Sequence, residues 1–233
     1  MQVNRPLLDE FASVLDRLEW DVALLQEAPP RWFAPLAAHT RSSGVRVLTS
    51  RNWFPALQAR LADLNPDLIA SGEGGSNQIL VRHPGRVLEH RRLTLAFRPE
   101  RRRMQWARLH LPGFGRVCVA NLHASAGRPE QAGDEVVRAG QAATRFSGDD
   151  PLILGGDFNL RPTLQPEPFA ALREGLGLGE PTAPRAIDHL LARGLRAVER
   201  PRQLAPEERE IDDASRLRIR LSDHAPVVAE FVR

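Results

Sequence analysis

Carboxylates, histidines and carboxamides recur in this chain at one kind of place, the ends of short apolar runs. Glu27 follows Val22-Ala23-Leu24-Leu25, Asn121 and His123 follow Val117-Cys118-Val119-Ala120, and Asp157 and Asn159 follow Leu152-Ile153-Leu154. Asp188-His189 lies within Ala186 to Leu191, and Asp223-His224 opens the last apolar run. A histidine titrates near neutrality and acts as a base when a carboxylate fixes its tautomer and stabilises its imidazolium. Sequence neighbours alternate sides on an extended chain, so Asp223 is badly placed to orient His224, and that partner is expected from another strand. Each residue alone has an ordinary explanation: Glu27 as a solvated strand end, Asp157-Phe158-Asn159 as a turn, His123 as a core histidine with its hydrogen bonds met. Their recurrence on separate strands points instead to one rim, where strand ends gather side chains.

The elements that must position them follow from periodicity. Leu7 to Leu18 has apolar residues at helical spacing, and Asp21 to Leu25 reads as a buried strand ending in Gln26-Glu27. Pro29, Pro30 and Pro35 predict a loop, Trp53 to Leu64 a second helix stopped by Asn65-Pro66, and Ile69-Ala70-Ser71 a lead into a Gly72-Glu73-Gly74-Gly75 turn. Strands are then expected at Gln78 to Val81, Val87 to Phe97, Met104 to Leu111 and Arg116 to Leu122, with a hairpin at Pro112-Gly113. Glu135 to Phe146 is helical in pattern, Leu152 to Gly156 is an apolar strand, Phe169 to Glu174 a short helix, and Ala186 to Leu191 and Ala225 to Val232 are strands. Hairpins mixed with helix-strand alternation predict an α/β sandwich of sheets covered by helices, in a single domain over 1–233.

Composition narrows the class. The chain has 233 residues and a formal charge of only +3. Its pI of about 10.5 reflects basic residues that are all arginine, with neither lysine nor tyrosine to titrate below them. It is therefore no strong polycation, although Arg91-Arg92 and Arg101-Arg102-Arg103 form runs suited either to solvated loops or to a local phosphate patch. Cys118 is alone in an apolar run, which excludes a disulfide framework. No stretch has signal-peptide or membrane-spanning character, so a cytoplasmic protein without an obligate protein partner is expected.

Five strings carry a resemblance: Gln26-Glu27, Asn121-Leu122-His123, Gly156-Asp157-Phe158-Asn159, Ile187-Asp188-His189 and Ser222-Asp223-His224. In this order and strand context they are similar to the motifs of the endonuclease/exonuclease/phosphatase superfamily, and the chain resembles a generic bacterial member. The resemblance implies a four-layer α/β/β/α sandwich, with two mostly antiparallel sheets face to face and helices outside. It also implies hydrolysis of a phosphodiester or phosphomonoester by in-line attack of water activated at His224, with Mg²⁺ as cofactor and Mn²⁺ as the alternative ion. DNA, RNA and phosphorylated small molecules are the candidate substrates.

Roles follow from the same resemblance. Glu27 looks like the metal ligand, a hard oxygen donor of the type Mg²⁺ prefers, and Asp223 like a residue that supports a metal. Asp188 is similar to the carboxylate that orients His224, and Asp157 and Asn159 to the pair that positions nucleophile and phosphate. His123 falls where members carry a histidine on the phosphate or leaving group. Asn77 and Asn121 are the expected substrate contacts. One departure stands out. Family members begin with a strand ending in a Trp-Asn-Val-like motif, whereas this chain begins Met1-Gln2-Val3-Asn4-Arg5-Pro6, so the family's first strand and its asparagine are expected upstream of Met1.

Two other functions compete. A phosphate- or nucleic-acid-binding module would keep the fold but have lost full metal binding with that strand. A zinc hydrolase is disfavoured by the absence of a His-x-His or His-Glu-x-x-His cluster. With no tyrosine and 6% aromatic residues, the sequence also offers no clear base-stacking set.

Overall fold

The computed structural model describes residues 7–49, 75–212 and 218–233. Helix α1, Leu8–Arg17, carries Asp9 and Glu10 in its first turn and Arg17 in its last, complementing the helix dipole. Strand β1, Val22–Ala28, extends past the apolar run to include Gln26 and Glu27. The three prolines do not make a plain loop. A 3-10 turn at Pro30–Trp32 runs into α2, Phe33–His39, with Pro35 in its first turn, where a missing amide costs nothing. Strand β2, Ser42–Leu48, was not expected from the sequence, whose Ser-Ser-Gly start lacks apolar alternation. The predicted Trp53 to Leu64 helix, Ile69-Ala70-Ser71 and most of the glycine turn after it lie outside the described residues, as do Met1 to Pro6.

The middle strands are β3 (Ser76–Arg82), β4 (Arg86–Ala96), β5 (Arg102–Leu111) and β6 (Gly115–His123). Then come α3 (Pro129–Ser147), β7 (Leu152–Asp157), α4 (Pro166–Leu176) and β8 (Asp188–Arg193). Helix α3 starts six residues before the expected Glu135, because its first turns are mostly polar and only Pro129 at their head marks the start. The last predicted strand is two short ones, β13 (Val227–Val228) and β14 (Phe231–Val232). They pair with different partners, β10 (Arg202–Gln203) and β9 (Arg196–Ala197). Between them in sequence lie α5 (Pro206–Arg209) and a hairpin of β11 (Glu210–Asp212) with β12 (Arg218–Arg220).

Two sheets result. One has the order β1-β3-β2, all antiparallel, and the other β4-β5-β6-β7-β8. Ile79 and Val81 pack against Ala107, Leu109, Val117 and Val119 to form the core between the sheets. Helices α3 and α4 cover the outer face of the five-stranded sheet through Val136, Ala139, Phe169 and Leu172. Ala12 and Leu15 of α1 and Leu36 of α2 meet Leu80 on the outer face of the other sheet. The layers are therefore helix, sheet, sheet, helix, as expected.

This topology decides where the polar strand ends go. Strands β6 and β7 are parallel, joined by the α3 crossover, so their C-terminal ends share one edge, with His123 opposite Asp157. Strand β8 runs antiparallel to β7 and begins at that edge, with Asp188 opposite Asp157. Gly156, at φ 131°, is required by close approach, since a Cβ there would lie 2.0 Å from the Leu122 carbonyl oxygen.

Candidate active site

Glu27 reaches the rim through a bulge. The β1/β3 register shifts between Leu25 and Ala28, and Glu27 takes φ 54°, uncommon for a side chain that large. Asn121 holds both sides of the preceding residue: its amide donates to the Leu25 carbonyl at 2.9 Å and to the Gln78 carbonyl at 2.8 Å, while its oxygen accepts from Gln26 at 2.6 Å. Asn121 thus ties the two sheets together, and it is fully buried. Asn77 is also fully buried, donating to the Arg103 carbonyl at 2.8 Å. Neither side chain reaches the open rim as the expected substrate contacts would, because both point between the sheets.

Five other residues do meet. His224 Nδ1 lies 2.8 Å from Asp188 Oδ2, the orienting pair expected across strands. Asp157, Asp188 and His224 bring ligand atoms within 4.8 Å of one another. Asn159, at φ 51°, donates its backbone amide to Asp157 Oδ1 at 2.8 Å and its side-chain amide to Oδ2 at 3.0 Å, and it also holds the Ala124 carbonyl. Asp157 is therefore fixed by two donors from two residues downstream, a local turn that the Asp-Phe-Asn string encodes. Phe158 points the other way into the core. His189 does the same, its ring packed on Phe158 and Phe169. Asp223 is exposed and outside this cluster, and its carbonyl accepts from Arg220.

His123 connects Asp157 to Glu27. Its Nε2 is 3.3 Å from Asp157 Oδ2 and its Nδ1 3.6 Å from Glu27 Oε1. Arg102, not singled out from its run by the sequence, is buried beside it, with Nη1 3.1 Å from each ring nitrogen and 3.8 Å from Glu27. The only sequence signal was its place at the head of a strand. The neutral ring carries a single N–H, and its other nitrogen accepts from Arg102.

Protonation differs sharply across the cluster. Burial, then the charges of Arg102 and His224, lower the His123 pKa to about 3, so this ring is neutral. The hydrogen bond to Asp188 raises His224 to about 9 against a smaller opposing effect of burial, so it is an imidazolium at neutral pH. Burial and then the Asp188 charge raise Asp157 to about 6, with the Asn159 amide opposing.

A profile of the endonuclease/exonuclease/phosphatase family matches residues 3–224. The chain belongs to that family. Its members hydrolyse phosphoester bonds. Comparison with curated proteins finds no match. Among solved structures, the family fold recurs in the mannosyl-6-phosphatase of Bacteroides thetaiotaomicron, at TM-score 0.71 and 15% identity over 97% of this chain and 92% of that one. It recurs in a humanized D. rerio TDP2, at 0.62 and 15% over 97% and 93%. The human Nocturnin catalytic domain with bound sulfate anion matches at 0.58 and 17% over 76% and 71%.

The family implies a divalent cation, and the donors fit one. Glu27 is 68% exposed at its side chain, and its ion-pair contacts, at 3.6 and 3.8 Å, are long. Asp157 and Asp188, grouped with His224 rather than with Glu27, add hard oxygen donors at the same rim; burial first and the Asp188 charge second raise the Asp157 pKa, and a cation would relieve the second.

Proposed function

We propose that this chain is a divalent-metal-dependent phosphoesterase in which Asp157, His224 and Glu27 act on one phosphate. The observation that carries the reading is the 2.8 Å His224–Asp188 pair, standing with the Asp157 carboxylate inside a 4.8 Å cluster. Chemistry supplied by a bound Mg²⁺, or Mn²⁺, at Glu27 is positive charge for the phosphoryl and leaving oxygens. His224 enters the reaction already protonated and so serves as a cation and donor to the phosphoryl oxygens, with Asp188 fixing its ring. The water-activating role moves from His224 to Asp157, whose pKa near neutrality suits a base and whose orientation Asn159 sets. His123, neutral, has a ring N–H to offer the phosphate or leaving group. Support from relatives is of the same kind: one is named a phosphatase, and Nocturnin holds sulfate, a tetrahedral anion like phosphate.

The test is release of nitrophenol from bis-p-nitrophenyl phosphate and p-nitrophenyl phosphate with Mg²⁺, with Mn²⁺ and with EDTA. Metal-dependent hydrolysis of either, lost in Glu27→Ala, is expected. Hydrolysis unaffected by EDTA overturns the metal assignment, and none under any condition leaves the binding-module function.

A further inference from the structure

Arg102 is absorbed by the site, but its neighbours in the run Arg101-Arg102-Arg103 are not. Strand β5 alternates sides, so Arg103 leaves it on the face opposite Arg102. Strand β4 pairs with β5 at Thr94↔Arg103 and Arg92↔Gln105, which sets Arg92 diagonal to Arg103 on the same face. Strands β5 and β6 are in register at Gln105↔Asn121, and two residues further along each stand Arg103 and His123. Arg103 therefore lies one strand from the reacting rim and Arg92 two strands away, about 10 Å.

Two arginines thus stand diagonally on one face beside the rim. Among the described residues neither Arg92 nor Arg103 forms an ion pair, and Arg103 Nε donates only to Thr94 Oγ1, at 3.3 Å. The pKa of Arg103 is lowered by partial burial and then by the charges of Arg101 and Arg92, as expected for cations held close together. A neighbouring strand surface with like charges in contact is unfavourable unless an anion joins them.

We propose that Arg92 and Arg103 form a second phosphate subsite beside the reacting centre, so that the substrate carries at least two phosphate groups. The proposal deepens the phosphoesterase reading and rests on it. Arginine forks are matched to phosphate oxygens, and the spacing suits a phosphate one building block away from the scissile one. That second phosphate comes either from a small bisphosphorylated molecule or from the next link of a polynucleotide, and both present the same anion to the cluster.

The experiment compares thymidine 5′-p-nitrophenyl phosphate with the same ester carrying a 3′-phosphate and with the same ester extended at its 3′ side by a dinucleotide. A 3′-phosphate is expected to raise kcat/KM at least about tenfold in the wild type. In the double variant Arg92→Ala/Arg103→Ala that ratio falls towards one, while Arg91→Ala, which removes a neighbouring charge paired with Glu89, keeps it. A wild-type ratio near one, or a ratio that survives in the double variant, overturns the proposal. A general structural loss lowers both substrates alike and leaves the ratio intact, which also counts against it. Further gain in the extended ester assigns the second phosphate to a polynucleotide, and none assigns it to a small bisphosphate. If no ester is hydrolysed, the phosphoesterase reading fails by itself. Calorimetric titration with thymidine 3′,5′-bisphosphate against thymidine 5′-monophosphate then decides the subsite, which requires tighter binding of the bisphosphate in the wild type and not in the double variant.

Discussion

His123 and His224 stand on two sides of Asp157 and carry opposite protonation. His123 is 4% exposed, sits beside a guanidinium and is neutral, with its pKa lowered to about 3. His224 is half-buried, shares a 2.8 Å hydrogen bond with Asp188 and is an imidazolium, with its pKa raised to about 9. The same side chain thus becomes a neutral hydrogen-bonding group at a strand end and a fixed cation in the loop before β13. The difference comes from what each ring meets: burial with a cation at β6, a carboxylate partner opposite β8. A single site gains two kinds of donor without a second type of residue.

The sharpest way to break this comparison is to remove each ring. His224→Ala should lower kcat by about 10³-fold or more, since it deletes the cation facing the phosphoryl oxygens, whereas His123→Ala should cost about tenfold and fall mainly on KM. Equal losses in steady-state kinetics would show that the two rings do the same work.

The next effect is on pH. Wild-type kcat/KM should rise as Asp157 ionises near pH 6 and fall as His224 loses its proton near pH 9. Asp188→Asn should bring the alkaline limb down towards the ordinary histidine value of 6.5 and reduce kcat about 10²-fold. A limb that stays at about 9 in this variant would remove Asp188 as the cause.

Stability gives a third test, read in EDTA. Asp157 has a folded pKa of about 6 against an ordinary 3.8, so its contribution to stability is present below about pH 4 and is lost as pH rises through 6. A shift of about two units corresponds to about 3 kcal/mol. Asp157→Asn should therefore raise the Tm at pH 8 relative to wild type while removing hydrolysis, and a lowered Tm would contradict the burial argument. The His224–Asp188 pair runs over a different window: its contribution is full below pH 6.5 and is lost as pH rises through about 9. His123 acts oppositely, its contribution being present above 6.5 and lost as pH falls towards 3.

The smallest expected effect is Arg102→Met. Burial is the larger cause of the low His123 pKa, so imidazole NMR titration should show a rise that still leaves it below 6.5, with a KM change of a fewfold. A return to 6.5 would make Arg102 the main cause.

Much of the site was legible because strand ends carry it. Glu27, His123, Asp157 and Asp188 each follow or open an apolar run, and such runs announce strands by length and composition alone. Asn121 and Asn77 sit in the same pattern but were misplaced as substrate contacts, since periodicity does not tell the open end of a sandwich from its buried middle. Arg102 was hidden for a related reason: a run of three arginines reads as one solvated patch, and only the pairing of β5 with its neighbours separates the member beside His123 from Arg103 on the other face.

The sequence by itself determined the inventory: the residues able to handle a phosphate and a proton, the strands that bear them, and through the order of five short strings the family. Only the tertiary structure decided how those groups are charged. Whether a histidine is a neutral donor or a cation, and whether a carboxylate titrates near 4 or near 6, depends on burial and on neighbours far away in sequence. Those are set where β6 and β7 end and β8 begins side by side at one rim.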